Sequence, residues 1–370
     1  MIELCENSMV HCISIDWLSL HCRAIRGGFE HAPAYDGTIA VSTSYEYETA
    51  EHGTRQFKHL DYIRVQNEDF CEVQYDPCSQ ILKEDTVIVK FSNRLLYQHN
   101  LWELVDNFLR DHELMVRGIS RVDVCADFNK FETYEPVQLI SDFLSSKLRH
   151  KGKGLGAAYF NHFAKKMGAF SVAHLLYSGI SFGSRESDAR AYLYNKSFEL
   201  RTVKDKPYIR QFWQEAGLNT AIDVWRLEIS IKSKGTRFKD KKTKTTILID
   251  EESLKQPDDL CKLFYTYQKK LFTFVYNRAG ITNITREPTI TLFKDVPHYK
   301  HGVIRNVSCS SRTERILIKQ LWQLSQRYRG NDMIEDEGIC KSLAKDLAAA
   351  TCLNTWLDEK KRRWKKPVLK

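Results

Sequence analysis

No stretch of this 370-residue chain approaches the roughly 18 continuous apolar residues that a membrane span requires, so no membrane partner is expected. The opening run M-I-E-L-C-E-N-S-M-V carries acid and has no basic leader before an apolar core, so no secretory signal is expected either. The cysteines, at 5, 12, 22, 71, 78, 125, 261, 309, 340 and 352, include no CxxC pair. They read as reduced thiols of a cytoplasmic protein, several of them buried as small apolar residues, and zinc is not expected. His298 and His301 form an H-x-x-H pair, but P-H-Y-K-H-G reads as a loop with no third ligand, which leaves surface histidines. The glycine-rich K-G-K-G-L-G (151–156) lacks the Walker spacing and the terminal Lys-Ser/Thr of a phosphate loop. A His-hydrophobic-His segment is also missing.

What is present is a modest excess of positive charge, 56 Lys and Arg against 47 Asp and Glu, for a net charge of +9. Its concentration says more than its size. K-G-T-R-F-K-D-K-K-T-K (234–244) and K-K-R-R-W-K-K (360–366) are basic runs suited to a polyphosphate backbone, and equally to a solvated loop or tail.

Three segments alternate in the two-residue period of a strand. From Ala189, the residues Arg190, Tyr192, Tyr194 and Lys196 share one face, while Ala189, Ala191 and Leu193 share the other. In S-R-V-D-V-C-A-D-F (120–128), Arg121, Asp123, Cys125 and Asp127 alternate with Val122, Val124, Ala126 and Phe128. In W-R-L-E-I-S-I-K (225–232), Arg226, Glu228, Ser230 and Lys232 alternate with Trp225, Leu227, Ile229 and Ile231. Any antiparallel sheet with one wet face alternates in this way. Carboxylates on such a face are less ordinary, because strands disfavour them, and three such strands predict one shared functional surface.

The segment F-G-S-R-E-S-D-A-R-A-Y-L-Y-N-K-S-F-E (182–199) resembles the Gly-Ser-Arg turn and the tyrosine strand ending in Y-x-K-x-x-E of the Rep-trans replication initiation factors. That family includes rolling-circle plasmid initiators and relaxases of mobile elements. S-R-V-D-V-C-A-D-F resembles its R-x-D-x-x-x-D strand, W-R-L-E-I-S-I-K its later R-x-E strand, and I-S-I-D-W-L-S-L (13–20) its opening strand. The matches run in order over about residues 12 to 235 and leave the last third uncovered.

The resemblance implies DNA nicking and joining at a replication or transfer origin through a 5′-phosphotyrosyl intermediate. It favours Tyr194 as the nucleophile, with Tyr192 as rival and Lys196 and Arg226 as catalytic partners. Arg185, Arg190, Arg121, Lys234, Arg237, Lys241 and Lys242 are the candidate DNA-binding residues. Asp127, Glu228, Asp123 and Glu199 are the candidate ligands of a divalent Mg2+ or Mn2+, a hard cation that neutralises charge at a scissile phosphate. These carboxylates can instead pair with Arg121 and Arg226 inside the sheet. A phenol with a reference pKa of about 10 needs such help to become a nucleophile. DNA is the implied partner, with a helicase and a second copy of the chain as further candidates. Two readings from other classes stay open: a noncatalytic origin-binding protein whose tyrosines stack on bases, and a metal-dependent nuclease that uses water.

The predicted architecture is α+β, an antiparallel-sheet core built from two strand-helix-strand halves and followed by a mainly helical C-terminal region. Leu101, Leu104, Val105, Phe108 and Leu109 predict a helix ahead of the Arg121 strand, and P-V-Q-L-I-S-D-F-L-S-S-K-L-R (136–149) a second with proline at its start. A further helical stretch is predicted around 208–216, between the tyrosine strand and the Arg226 strand. Leu260, Leu263, Phe264, Tyr267 and Leu271 form one helical stripe. Ser311 to Glu314 reads as a capping box, and Gly330-Asn331 as a break before a last helix. The expected division is a catalytic domain over 1–235, a basic linker or loop over 236–250, and a DNA- or partner-binding region over 251–370.

Overall fold

The computed structural model describes residues 11–25, 28–31, 44–78, 82–151, 157–160, 179–184, 186–239, 246–280, 283–294, 296, 302–303, 312–328, 334–350 and 357–358. They form two compact units, Met1–Ile304 and Arg305–Lys370.

The first unit is built on a ten-stranded antiparallel sheet. Its strands are β1 (His11–Ala24), β2 (Glu46–Thr49), β3 (Phe57–Val65), β4 (Glu68–Pro77), β5 (Thr86–Phe91), β6 (Leu114–Phe128), β8 (Ala157–Phe160), β9 (Gly179–Phe182), β10 (Ala189–Asn195) and β11 (Trp225–Lys232). They lie side by side in the order β2-β3-β4-β5-β1-β6-β11-β10-β9-β8. The α+β class and the two strand-helix-strand halves are observed, the first as β5, α1 (Leu101–Asp111) and β6, the second as β10, α3 (Lys196–Thr202), α4 (Pro207–Glu215) and β11.

Alternation gives the central strands two different faces. Val122, Val124, Ala126 and Phe128 of β6, Leu227, Ile229 and Ile231 of β11, and Ala191 and Leu193 of β10 are buried in one core. Helices cover that face. Val105 and Phe108 of α1, Leu139 and Ile140 of α2 (Pro136–Leu144), and Leu263, Phe264, Tyr267 and Leu271 of α6 (Pro257–Leu271) belong to the same core, with α5 (Glu251–Lys255) leading into α6. Residues 251–271, grouped by sequence with the C-terminal region, therefore lie in the first unit. The apolar stripe of α6 is matched by the apolar face of the sheet.

Helix α2 is shorter than its predicted span. It ends at Leu144, Ser146 takes a left-handed φ of 59°, and Leu148–His150 form the short strand β7. The opposite face of the sheet carries a small second core, in which Cys12 and Val224 meet Leu200 of α3, Leu218, and Ile209 and Trp213 of α4. The second unit contains a pair of helices, α7 (Arg312–Tyr328) and α8 (Ile334–Ala350), with Ile318, Trp322, Ala344, Ala348 and Leu357 buried together. The predicted capping residue Ser311 and the Gly330-Asn331 break lie outside the described residues.

Candidate active site

Antiparallel register brings the three predicted strands together row by row. Asp127 of β6 stands opposite Arg226 of β11, which stands opposite Tyr194 of β10. One pleat along, Cys125 faces Glu228 and Glu228 faces Tyr192, and one pleat further Asp123 faces Ser230 and Ser230 faces Arg190. The shared polar surface expected from sequence is therefore realised on the face opposite the main core.

At its centre is an arginine with no exposed surface. Arg226 donates from Nε to Asp127 Oδ1 at 2.6 Å and from Nη2 to Asp127 Oδ2 at 2.6 Å, a two-pronged grip on one carboxylate. It donates further from Nη1 to Asp16 Oδ1 and from Nη2 to the Tyr97 hydroxyl, at 2.8 Å in the latter case. Trp213 Nε1 donates to Asp127 Oδ2 at 2.7 Å, Tyr97 donates to Asp16 Oδ1 at 2.8 Å, and Asn93 Nδ2 donates to the Asp16 backbone carbonyl at 2.8 Å. Burial works against a charge on Asp16, but Arg226 and then Lys196 outweigh it and hold this carboxyl well below the usual range. The hub is a closed set of ion pairs and hydrogen bonds.

The reactive-looking pair sits beside it. Tyr194, 8% exposed, donates to Glu228 Oε2 at 2.9 Å, and Lys196 Nζ lies 3.4 Å from the same hydroxyl. Burial, reinforced by Glu228, pushes the Tyr194 phenol well above 10. Burial also raises Glu228, with Asp16 and Asp123 adding to the effect against the pull of Arg226 and Lys196, so that its carboxyl is pushed up to about 7. A protonated phenol thus faces a carboxylate poised to take its proton near neutrality.

Lys196 does not extend the tyrosine strand as alternation suggests. Asn195 ends β10 and caps α3, accepting from the Phe198 backbone N–H at 2.8 Å, which makes Lys196 the first helical residue. Its ammonium, nearly fully buried, reaches back to Tyr194 and lies 2.7 Å from Glu199 Oε2, an ion pair poorly angled for a hydrogen bond. Tyr192 is half-buried with the Arg190 guanidinium 3.9 Å above its ring.

The four proposed metal ligands are distributed among cations. Asp127 is held by Arg226 and Trp213, Glu199 pairs with Lys196, and both oxygens of Asp123 accept from Arg121, at 2.9 Å for the Nε bond. Glu228 accepts from Tyr194. Among the described residues no group of three or more His, Cys, Asp or Glu is placed to hold a metal. This donor set, as arranged, does not fit Mg2+ or Mn2+.

No protein-family model matches the chain, and no curated protein matches it. Solved structures do align with it. One of them is a rolling circle replication initiator protein from Geobacillus stearothermophilus, which covers 76% of this chain and 92% of its own at 15% identity and a TM-score of 0.42. A likeness of that size bears on neither the residues nor the chemistry, which stand on the geometry above.

Of the remaining candidates, Lys234 and Arg237 are exposed beyond the end of β11, while Arg185, Lys241 and Lys242 lie outside the described residues, as do His298, His301 and the K-G-K-G-L-G glycines. Sequence reasoning missed Asp16 and Tyr97. Asp16 occupies a bulge, since the pairing of β1 with β6 shifts between Ile15 and Trp17. A signal for it exists in I-S-I-D-W-L-S-L, where the apolar positions change parity from Ile13 and Ile15 to Leu18 and Leu20. Tyr97 comes from a single 3-10 turn, Leu95–Tyr97, which has no periodicity to read.

Proposed function

We propose that the chain nicks and rejoins a DNA strand by tyrosine transesterification at a replication or transfer origin, in the manner of the rolling-circle initiators its strand motifs resemble. The observation that carries this reading is the 2.9 Å hydrogen bond from Tyr194 to a Glu228 carboxyl held near pH 7. In the proposed step Glu228 takes the phenolic proton and Tyr194 Oη attacks phosphorus. The P–O3′ bond breaks, and the departing O3′ leaves as a hydroxyl after receiving a proton from protonated Glu228 or water. The enzyme is left with a 5′-phosphotyrosine, and reversal of these steps rejoins the strand. Lys196 is positioned to offset charge on the attacking oxygen and the phosphoryl group. Arg226 and its partners hold Glu228, Tyr194 and Lys196 in register and touch no substrate. A nucleophile as buried as Tyr194 favours a single strand over a duplex, because an unpaired phosphate can be delivered down to it.

The catalytic role is assigned to residues 1–235. The unit Arg305–Lys370 carries fifteen Lys and Arg against eight Asp and Glu, +7 of the chain's +9, and is assigned to origin or partner recognition.

Two effects of Glu228 test the assignment together. Adduct formation is expected to rise with pH through about 7, and Glu228→Gln to slow it by about 10²- to 10⁴-fold and flatten that profile. The same substitution is expected to stabilise the fold at high pH. Because the folded carboxyl titrates above its usual 4.5, wild type loses stability as pH rises from there through about 7, a loss on the order of 1–3 kcal/mol that the amide avoids. A Gln variant no more stable than wild type at pH 8, with an unaltered rate profile, removes Glu228 from the mechanism.

A further inference from the structure

The polar face of the sheet continues well past the tyrosine, and its far part carries a different pattern. Pairing places Lys90 of β5, Ser19 of β1, Arg121 of β6 and Lys232 of β11 in one row that crosses four neighbouring strands. Glu72 of β4 stands opposite Lys90, and Tyr62 of β3, 40% exposed, stands opposite Glu72, so the row runs on to the second strand from the sheet edge. At about 4.8 Å per strand, it is roughly 24 Å long. The adjacent row, one pleat nearer Tyr194, reads Trp17, Asp123, Ser230 and Arg190.

Trp17 holds two of these cations in place. Lys90 Nζ and the Arg121 guanidinium each lie 4.4 Å from its ring, which orients both side chains without neutralising them. Across the two rows stand four cations, Lys90, Arg121, Lys232 and Arg190, against two carboxylates. Of these, Glu72 pairs with Lys90 at 2.6 Å, and the buried Asp123 accepts from Arg121 through both of its oxygens, which leaves the two rows with more cations than carboxylates. The Arg190 guanidinium lies over the Tyr192 ring, 3.9 Å from its centroid, and among the described residues the buried Nε of Arg190 has no hydrogen-bond partner. The opposite side of every one of these strands is sealed core, so the charge has only this face on which to act.

We propose that this surface is the bed for the single-stranded flank of the DNA, which leaves Tyr194, passes Tyr192 and Arg190, and crosses the sheet at right angles to its strands over Arg121 and Lys90. The proposal rests on the nicking function and names the path of its substrate. The occupant is a single strand because a row of cations spaced by strands, with aromatic side chains beside it, matches a repeating phosphate backbone with stackable bases. A protein partner of ordinary composition would need an apolar centre that this face lacks. Trp17, Lys90 and Lys232 are positioning residues: they hold substrate far from the reacting atoms, since Arg121 and Asp127 are six residues, or about 20 Å, apart along β6.

The test is equilibrium binding of a fluorescein-labelled single-stranded oligonucleotide of mixed sequence to the full chain, over a range of salt concentrations, with no cleavage needed for the readout. Lys90→Ala with Lys232→Ala is expected to weaken binding several-fold and to reduce the salt slope by about 1.4, two backbone contacts at about 0.7 each. Lys58→Ala, an exposed lysine on β3 paired with Asp76, serves as the control of equal chemistry and is expected to leave the slope unchanged. An unchanged slope in the double variant overturns the path, as does an equal drop in Lys58→Ala, a loss confined to duplex binding, or wild-type protein that binds no single strand. Thermal melting of the double variant identifies a fold defect. In that event Lys90→Gln and Lys232→Gln, made singly, are each expected to lower the slope by about 0.7, and their failure to do so overturns the path as well. Covalent adduct formation with an unchanged slope would refute the path and leave the nicking reading standing, whereas a changed slope with no adduct would do the reverse.

Discussion

Tyr194→Phe is expected to form no covalent protein–DNA adduct while keeping its fold and its affinity for single-stranded DNA. The substitution removes one oxygen from a residue that is 8% exposed and leaves the ring to pack as before, so the stability cost is that of the lost bond to Glu228, about 1–3 kcal/mol. What it removes is the nucleophile, and cleavage should fall by about 10⁴-fold or more. Tyr192→Phe is the informative partner. Tyr192 also stands opposite Glu228 in the strand pair, and burial raises its phenol too, but its ring is occupied by Arg190 and, among the described residues, no hydrogen bond joins it to the lysine that serves Tyr194. Its adduct yield should stay within about an order of magnitude of wild type. Denaturing gels of end-labelled single-stranded DNA incubated with the two variants decide the matter. An adduct lost only in Tyr192→Phe moves the nucleophile one pleat along β10. Cleavage with free 5′ phosphates and no adduct in any protein replaces tyrosine with water, and binding with neither product leaves an origin-binding protein.

Much of this site is legible in the sequence because strand geometry is a strict rule. Once Arg121, Asp127, Arg226, Glu228, Tyr192 and Tyr194 are placed on alternating strands, their common face follows, and antiparallel register does the rest. What the alternation does not encode is which polar neighbour satisfies which. Asp127 reads as a metal ligand until Arg226 is seen to take both of its oxygens, and Glu199 until Lys196 turns toward it. Local capping also beats periodicity at Lys196, where Asn195 stops the strand one residue earlier than the pattern suggests. Asp16 shows a subtler limit. A bulge inserts one residue, and every later side chain changes face, so a rule with period two points the wrong way unless the shift in parity is noticed. The helices tell the complementary story: the stripe of α6 is plain in the sequence, but its place against the sheet depends on which apolar face is left to cover.

Arg226→Ala is expected to cost the first unit about 3–5 kcal/mol at pH 7, the largest single loss of stability available at this site. The reason lies less in the bonds that disappear than in what they leave behind. Asp127 has no exposed surface, and without the guanidinium it keeps only the Trp213 N–H, while Asp16 keeps Tyr97 and Asn93. Two carboxylates that shared one guanidinium lose it in a poorly solvated place. Arg226→Lys should recover only part of the loss, because a single ammonium cannot reproduce a planar fork that serves Asp127 with two N–H groups and Asp16 with a third. The pH dependence has a definite sign. Asp16 titrates below its unfolded value in the wild type, so its contribution is present above about pH 4 and fades as pH falls below that. The alanine variant, lacking that contribution, should therefore lie closest to wild type in acid and furthest from it at neutrality. Denaturant unfolding of the full chain at pH 7 and pH 4, read by hydrogen exchange at the β6 and β11 amides, measures both differences. A loss under about 1 kcal/mol at pH 7, or a gap that widens in acid, would mean that water or a neighbouring cation already compensates these carboxylates and that Arg226 is not the hub on which the site is assembled.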